Sequence, residues 1–151
     1  ITALSGRLEH GSLIFLGPDN GSAPELWKLP NIHRTGAVPY EILPAVAAGA
    51  DVLIVPYDDL PVTRAMPPLK FKEYLATMRP VVASRLPTLE PWSDACYLAD
   101  SAEDFVAGVQ IGLATGLGDA ERQARSRLDG ETWQRKASTF ENVLLGGQAD
   151  G

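Results

Sequence analysis

Short apolar runs, separated by segments with helical periodicity, constrain the fold of this chain more than any other feature. Four such runs indicate strands at residues 12–17, 51–56, 80–84 and 96–100, and a briefer one lies at 31–36. A nearly continuous apolar run is typical of a strand that is buried on both faces, as in a parallel sheet. We therefore predict an α/β fold, a Rossmann-like three-layer sandwich with a parallel sheet.

The segments between these runs predict the helices of the sandwich. The segment at 101–113 carries the clearest start signal, because Ser101 is followed three residues later by Asp104, in the pattern of a capping box. The loop at 57–68 is rich in proline and polar residues, and we predict no element within it. Further helical segments are predicted at 2–9, 24–28, 39–49, 68–77, 119–128 and 131–145.

The length of 151 residues suits one domain with its own core. We place this domain at residues 1–145 and expect a disordered tail at 146–151. Parallel α/β sheets bind ligands at the carboxyl ends of their strands. The predicted ligand edge is formed by the loops that follow Leu16, Arg34, Pro56 and Ser84.

Composition excludes several classes of protein. The net charge of −6 lacks the positive field that a broad nucleic-acid surface needs, so no nucleic-acid partner is expected. Cys96 is the only cysteine, and no His, Cys or Asp cluster has metal-site spacing, so we expect no disulfide and no protein-held metal. No apolar stretch is long enough for a transmembrane segment and no signal peptide is recognisable, so a cytoplasmic location is expected.

The stretch from Asp51 to Ser84 carries the chemistry, because it reads as a strand, a long loop, a helix and a second strand. The helix start would face the ligand edge, where its free amides and partial positive charge favour a diphosphate. Lys70 adds a full cation in the first turn. Glu73, one turn further, offers a carboxylate to two neighbouring ribose hydroxyls. Glu73 could equally be a solvated helix residue, and Arg64 in the loop is either a phosphate contact or a solvated charge.

The residues around this stretch resemble a known family. The segment "NIHRTGAVPYEILPAVAAGADVLIVPY", followed by "TRAMPPLKFKEYLATMRPVVAS", is similar to the C-terminal domain of family-four-type glycosyltransferases of the GT-B fold. The resemblance implies a nucleotide-sugar-binding domain that takes part in polysaccharide biosynthesis, with a retaining reaction. It also implies a nucleotide site, whose matching residues here are Glu73 at the ribose, Leu69 and Lys70 at the diphosphate, Gly36 to Val38 at the base, and Gly17 in the turn before them.

Three departures from the family pattern affect the predicted site. Ala65 stands where the family has the first glutamate of its E-x7-E motif. Pro67 and Pro68 remove two amides from the helix entrance, since proline has no N–H, and Arg64 is the candidate guanidinium clamp that compensates. The resemblance also implies a first strand, a basic residue in the loop after it and a whole acceptor-binding N-terminal domain, all of which we expect this chain to lack.

The function predicted for the full-length enzyme is transfer of a sugar from a nucleoside diphosphate sugar to a carbohydrate or lipid-linked acceptor. No catalytic residue and no cofactor is assigned to this chain, and the isolated domain is expected to be inactive. The alternative is a non-enzymatic Rossmann-like module that binds nucleotides or another protein. Binding of UDP, GDP or dTDP that depends on Glu73 would separate the two readings.

Several apolar residues have more than one possible role. Trp133 and Phe140 are seven residues apart, which predicts one face that packs in the core or docks on the missing domain. Trp92 lies in a loop, and its role is open. An exposed apolar rim is expected at residues 60–66, and such a rim favours a homodimer.

Overall fold

The computed structural model describes residues 1–18, 24–66 and 69–144, and within them it forms an α/β fold whose strands are all parallel. Parallel strands require crossover connections, and helices supply most of them. The described strands are β1 (Leu13–Leu16), β2 (Ile32–Gly36), β3 (Leu53–Val55), β4 (Val81–Ser84) and β5 (Tyr97–Ala99).

Helices surround these strands in an order close to the prediction. The described α-helices are α1 (Thr2–Arg7), α2 (Leu43–Ala48), α3 (Pro61–Ala65), α4 (Leu69–Ala76), α5 (Ala102–Thr115), α6 (Asp119–Ala124) and α7 (Trp133–Leu144). Short 3-10 helices occur at Leu26–Lys28, Tyr40–Ile42, Glu90–Trp92 and Arg125–Gly130. The predicted tail at 146–151 lies outside the described residues.

The strands form two parallel sheets rather than the single sheet expected. β1 pairs with β2 in one sheet, and the other has the order β3-β4-β5. One hydrophobic core nevertheless joins the two sheets, because Leu13 and Ile32 pack in the same cluster as Val82 and with Phe105 of α5. The predicted parallel α/β architecture is confirmed, but the described strands form two sheets that are not hydrogen-bonded to each other.

A second core packs α4 against the three-stranded sheet. Phe71 and Leu75, four residues apart on α4, are fully buried with Leu53 and Val55 of β3. The apolar pattern of α4 also allows Leu69 on this core face, but Leu69 is 64% exposed. The buried face of α4 instead begins at Phe71, which turns Lys70 and Glu73 toward the surface.

Two other local predictions need correction. The loop at 57–68 contains α3, whose start is fixed by Thr63: its hydroxyl accepts the Leu60 N–H at 2.9 Å and donates to the Asp58 carbonyl at 2.5 Å. β1 was predicted to be buried on both faces, but Ile14 is 61% exposed. Its other face is covered, since Leu13 and Phe15 pack in the shared core.

Arg125 connects three parts of the molecule from within the core. Its guanidinium donates to the carbonyl oxygens of Ala95 (2.9 Å), Leu75 (3.2 Å) and Arg79 (2.8 Å), and the side chain is buried. Leu75 lies in the last turn of α4, so Arg125 supplies a partner for a helix-end carbonyl. Burial lowers the pKa of Arg125. Its Nη2 is buried with no hydrogen-bond partner among the described residues.

The aromatic residues of the C-terminal part differ from expectation. Trp133 is 78% exposed and Phe140 64% exposed, so core packing of this pair is wrong, and docking on another domain stays a prediction. Trp92 is 6% exposed and lies beneath two cations: Arg127, at 4.5 Å from the ring centre, and Lys72, at 5.6 Å. No helix within the described ranges is long and apolar enough to cross a membrane.

Candidate functional site

The carboxyl ends of β1 and β2 bring two predicted site residues together. The Gly17 N–H donates to the Gly36 carbonyl at 2.9 Å, so the turns after these strands lie side by side. Gly36 has φ 72° and Gly17 φ 131°, a backbone region that L side chains rarely adopt. Both glycines border open space, because an added Cβ would meet no atom within 4 Å. The predicted glycine turns therefore form an accessible backbone edge.

Glu73 meets this edge through Tyr40. The Tyr40 hydroxyl donates to Oε1 of Glu73 at 3.4 Å, which joins the 3-10 helix after β2 to α4. Both residues are exposed. The carboxylate is therefore exposed, contacts the residue that starts the 3-10 helix after β2, and is not buried in unrelated packing.

Lys70 differs from the basic residues around it. It lies on the same face of α4 as Glu73, three residues earlier, and among the described residues it forms no hydrogen bond or ion pair through its side chain. The basic residues that follow it in the sequence, up to residue 85, are engaged: Lys72 with Glu131, Arg79 with the Ala48 carbonyl at 2.7 Å, and Arg85 with two carboxylates. Lys70 is thus the cation of this group that is available to an anionic ligand.

Arg64 is held by a carboxylate of its own loop. Its Nε and Nη2 donate to the two oxygens of Asp59 at 2.5 and 2.6 Å, a bidentate pair. This pair lowers the pKa of Asp59 and raises that of Arg64. The guanidinium is exposed, so a phosphate can reach it only in competition with Asp59. The loop pairing weakens the case for Arg64 as a phosphate clamp.

Two further tyrosines lie near Glu73. Tyr74 follows it on α4 and is half-buried, and Tyr57 follows β3 at the carboxyl edge. Burial first, then the charges of Tyr57 and Glu73, raise the pKa of Tyr74. Tyr74 therefore stays a neutral phenol at physiological pH, a neighbour that adds no charge to the site.

The carboxyl ends of β4 and β5 form a separate ionic group. Arg85, directly after β4, donates to Asp100 at 2.6 Å, to Glu90 at 3.0 Å and to the Leu98 carbonyl at 3.1 Å. The hydrogen bonds to Glu90 and then to Asp100 raise the pKa of Arg85. Arg85 thus connects the ends of β4 and β5, and the carboxylates of Glu90 and Asp100 balance its positive charge.

Metal and thiol chemistry find little support in the described structure. Across residues 1–18, 24–66 and 69–144, no group of three or more His, Cys, Asp or Glu side chains is placed to hold a metal ion. Cys96 is buried, and burial raises its pKa to about 12. A thiol with that pKa is protonated at neutral pH and is a poor nucleophile.

Some residues of the predicted nucleotide site lie together in the structure, and others do not. Gly17, Gly36 and the half-buried Val38 lie along one backbone edge, and Tyr40 links that edge to Glu73. Leu69 is exposed at the start of α4, while Pro67 and Pro68 lie outside the described residues. Tyr40 was not among the predicted site residues: its position directly after the "GAVP" turn was a signal, but its contact with Glu73, 33 residues away, appears only in the fold.

Known proteins share both sequence and fold with this chain. TuaH of Bacillus subtilis (strain 168), named as a candidate glycosyltransferase of teichuronic acid biosynthesis, is 30% identical over 125 residues, which cover 78% of this chain and 32% of TuaH. No protein-family model matches the chain. The chain thus spans about a third of the length of this curated relative.

A solved structure confirms the architecture. AviGT4, a glycosyltransferase involved in avilamycin A biosynthesis, superposes with a TM-score of 0.61 at 19% identity, over 97% of this chain and 48% of AviGT4. At this identity the likeness establishes the fold, that of a GT-B enzyme. The sequence likeness to TuaH and the structural likeness to AviGT4 agree over most of the chain, which therefore has the α/β fold of a GT-B enzyme and is similar in sequence to part of a glycosyltransferase.

Proposed function

We propose that the edge formed by Gly17, Gly36–Val38 and the exposed face of α4 binds a nucleoside diphosphate sugar. The observation that carries this proposal is the placement of Glu73. Its carboxylate is exposed, contacts Tyr40 from the turn after β2, and lies one helical turn from the unpaired Lys70. A carboxylate for a ribose diol next to a cation for a diphosphate is the pair of charges that such a ligand needs.

In the longer protein, the domain would hold the donor while a sugar passes to a carbohydrate or lipid-linked acceptor. The name of TuaH places that relative in teichuronic acid biosynthesis, which supports a polysaccharide acceptor. Lys70 and the first turn of α4 would stabilise the charge that develops on the departing diphosphate. We assign no catalytic nucleophile to the domain, and we propose retention of configuration and a second, acceptor-binding domain from the family resemblance.

Calorimetry with UDP, GDP and dTDP tests the proposal directly. We expect at least one of them to bind the 151-residue chain, and Glu73→Ala to weaken that binding by about 10-fold or more, as expected for a lost hydrogen bond to a charged group. Lys70→Ala should weaken the diphosphate more than the nucleoside monophosphate, because the second phosphate carries the added charge.

The matched control is Glu41→Ala. Glu41 is also exposed, directly follows Tyr40, and among the described residues its carboxylate has no hydrogen-bond partner. It should leave the affinity unchanged. Equal weak heats for the wild-type chain and Glu73→Ala would favour the non-enzymatic module instead, and no heat with any of the three nucleotides would favour a protein-interaction domain.

A further inference from the structure

The Glu73 carboxylate accepts one hydrogen bond from a residue outside its own helix. Its donor is the Tyr40 hydroxyl, 33 residues earlier in the chain, at 3.4 Å from Oε1. Among the described residues, Glu73 has no other side-chain hydrogen bond and no ion pair. Tyr40 is therefore the described residue outside α4 whose side chain contacts this carboxylate.

The chemistry of this pair leaves the carboxylate free for two more donors. An ionised carboxylate offers about four acceptor directions over its two oxygens, and the Tyr40 hydroxyl takes one of them, at Oε1. Among the described residues, nothing else donates a hydrogen bond to Oε1 or Oε2, and Glu73 as a whole is exposed. The 2′- and 3′-hydroxyls of a ribose are two adjacent donors, whereas a 2′-deoxyribose presents one.

We propose that Tyr40 is a positioning residue that holds the Glu73 carboxylate for both hydroxyls of a ribose, and so selects ribonucleoside diphosphates over their 2′-deoxy counterparts. The inference rests on the proposed function of this edge as a nucleotide site. It restricts the donor class to ribonucleotides and ranks dTDP below UDP and GDP. A site built to bond a hydroxyl rejects an analogue without it, because its own polar group is then left unpaired.

The length and exposure of the hydrogen bond define what it can do. At 3.4 Å the bond is long for two oxygens, and Tyr40 is 70% exposed, so it contributes little to the stability of the free domain. Hydrogen bonds of functional sites are often long before ligand binds and shorten in the complex. Loss of the hydroxyl should therefore change how the domain discriminates between ligands and leave its unfolding midpoint unchanged.

Tyr40→Phe separates the hydroxyl from the ring. It removes the donor to Glu73 and keeps the aromatic surface, whereas Tyr40→Ala removes both. Glu73→Gln keeps the shape of the carboxylate and removes its charge. Glu41→Gln serves as the matched control, since its carboxylate adjoins Tyr40 and has no hydrogen-bond partner among the described residues.

The experiment measures the dissociation constants of UDP and 2′-deoxy-UDP, and of GDP and 2′-deoxy-GDP, by calorimetry on the 151-residue chain. The ratio of deoxy to ribo dissociation constants reports the discrimination. We expect roughly 10-fold or more in the wild type and the control, consistent with one lost hydrogen bond to a charged acceptor. In Tyr40→Phe the ratio should fall by about threefold or more, and in Glu73→Gln it should approach one.

Two results would overturn the inference while leaving the nucleotide site intact. One is a wild-type ratio in Tyr40→Phe together with a lost ratio in Glu73→Gln. The other is equal weakening of the ribo and deoxy ligands in Tyr40→Phe, which would assign the effect to general packing. If the wild-type chain binds none of the four nucleotides, or Glu73→Gln binds all four unchanged, the proposed function fails and this inference fails with it.

Discussion

Gly36 ends β2 in a left-handed conformation, and its carbonyl accepts the Gly17 N–H. We expect Gly36→Ala to lower the free energy of unfolding by about 1–2 kcal/mol, because a Cβ at φ 72° is strained even where space is open. Urea denaturation measures this change. The nucleotide edge should lose affinity in parallel, since the same backbone forms it.

Gly6 is the matched control for this substitution. It lies inside α1, and an added Cβ there also meets nothing within 4 Å. Gly6→Ala should raise the free energy of unfolding by about 0.5–1 kcal/mol, because alanine favours the helix. Equal effects of the two substitutions would contradict a conformational role for Gly36.

Arg125 stabilises the C-terminal end of α4 through its contact with the Leu75 carbonyl. Arg125→Met keeps the apolar stem but removes the donor that the described structure gives to the Arg79 and Ala95 carbonyls, while the Leu75 carbonyl keeps the Met78 N–H at 3.2 Å. We expect a loss of about 2–4 kcal/mol in the free energy of unfolding, since buried acceptors without partners are costly. Arg122→Met, on the exposed face of α6, should change it by less than about 0.5 kcal/mol. A small effect of Arg125→Met would show that water replaces the lost donors.

At the scale of elements, the start of α5 is held by one carboxylate. Asp104 accepts from the Tyr97 hydroxyl at 2.6 Å and from the Asp100 N–H at 2.8 Å. The Tyr97 hydroxyl, followed by the Asp100 N–H, lowers the pKa of Asp104 below its ordinary value. The ionised carboxylate therefore joins the helix start to β5 and to the turn between them.

The pKa of Asp104 sets the direction of a pH effect. Because it is lower in the folded state, its contribution to stability is present above about pH 4 and is lost as the pH falls through the folded-state pKa. Denaturation of the wild type should thus show a steeper loss of stability from pH 5 to pH 3 than Asp104→Asn, which keeps the shape. Identical pH profiles of the two proteins would contradict this role.

Elements with local signals were predicted well from the sequence. Ser101 accepts the Asp104 N–H at 3.1 Å, as the capping pattern implied, although Asp104 bonds the Asp100 N–H rather than that of Ser101. α3 was not predicted because its start depends on hydrogen bonds between the Thr63 hydroxyl and two backbone groups of the loop. The proline-rich composition of the loop does not indicate these hydrogen bonds. The sequence therefore predicts the start of a helix correctly where a single side chain caps it.

Faces were harder to predict than elements. The apolar period of α4 allows either Leu69 or Phe71 to start the buried stripe, and packing against β3 decides for Phe71. Trp92 is buried because it packs in the core of the three-stranded sheet and because Arg127 and Lys72, from two other parts of the chain, lie against its ring. For the same reason Tyr40 was missed: its partner Glu73 is distant in sequence, and only the tertiary fold brings them together.

For the whole molecule, the division into two sheets matters most. β1 pairs only with β2 among the described strands, and β3 only with β4, yet one core spans both sheets. The apolar side chain of Ile14 is exposed on the face of β1 that the shared core does not cover.

Exposed apolar residues predict self-association. Leu60, Val62 and Met66 are exposed around α3, as the sequence analysis expected. We expect the wild-type chain to form dimers at high concentration and Val62→Glu to shift it toward monomer, because a charge in an apolar contact is costly. Light scattering over a concentration series measures this. A wild-type chain that remains monomeric at every concentration would contradict the prediction that the apolar rim forms an interface.

The location of a bound nucleotide tests the central claim most directly. Amide chemical shifts of the labelled 151-residue chain, followed during titration with UDP and then GDP, report every backbone position that the ligand affects. We predict the largest shifts at Gly17, at Gly36–Val38 with Tyr40, and at the first turns of α4 around Lys70 and Glu73. Saturable shifts confined to another surface, such as the cleft between Arg7–His10 and Gln110, would contradict the account.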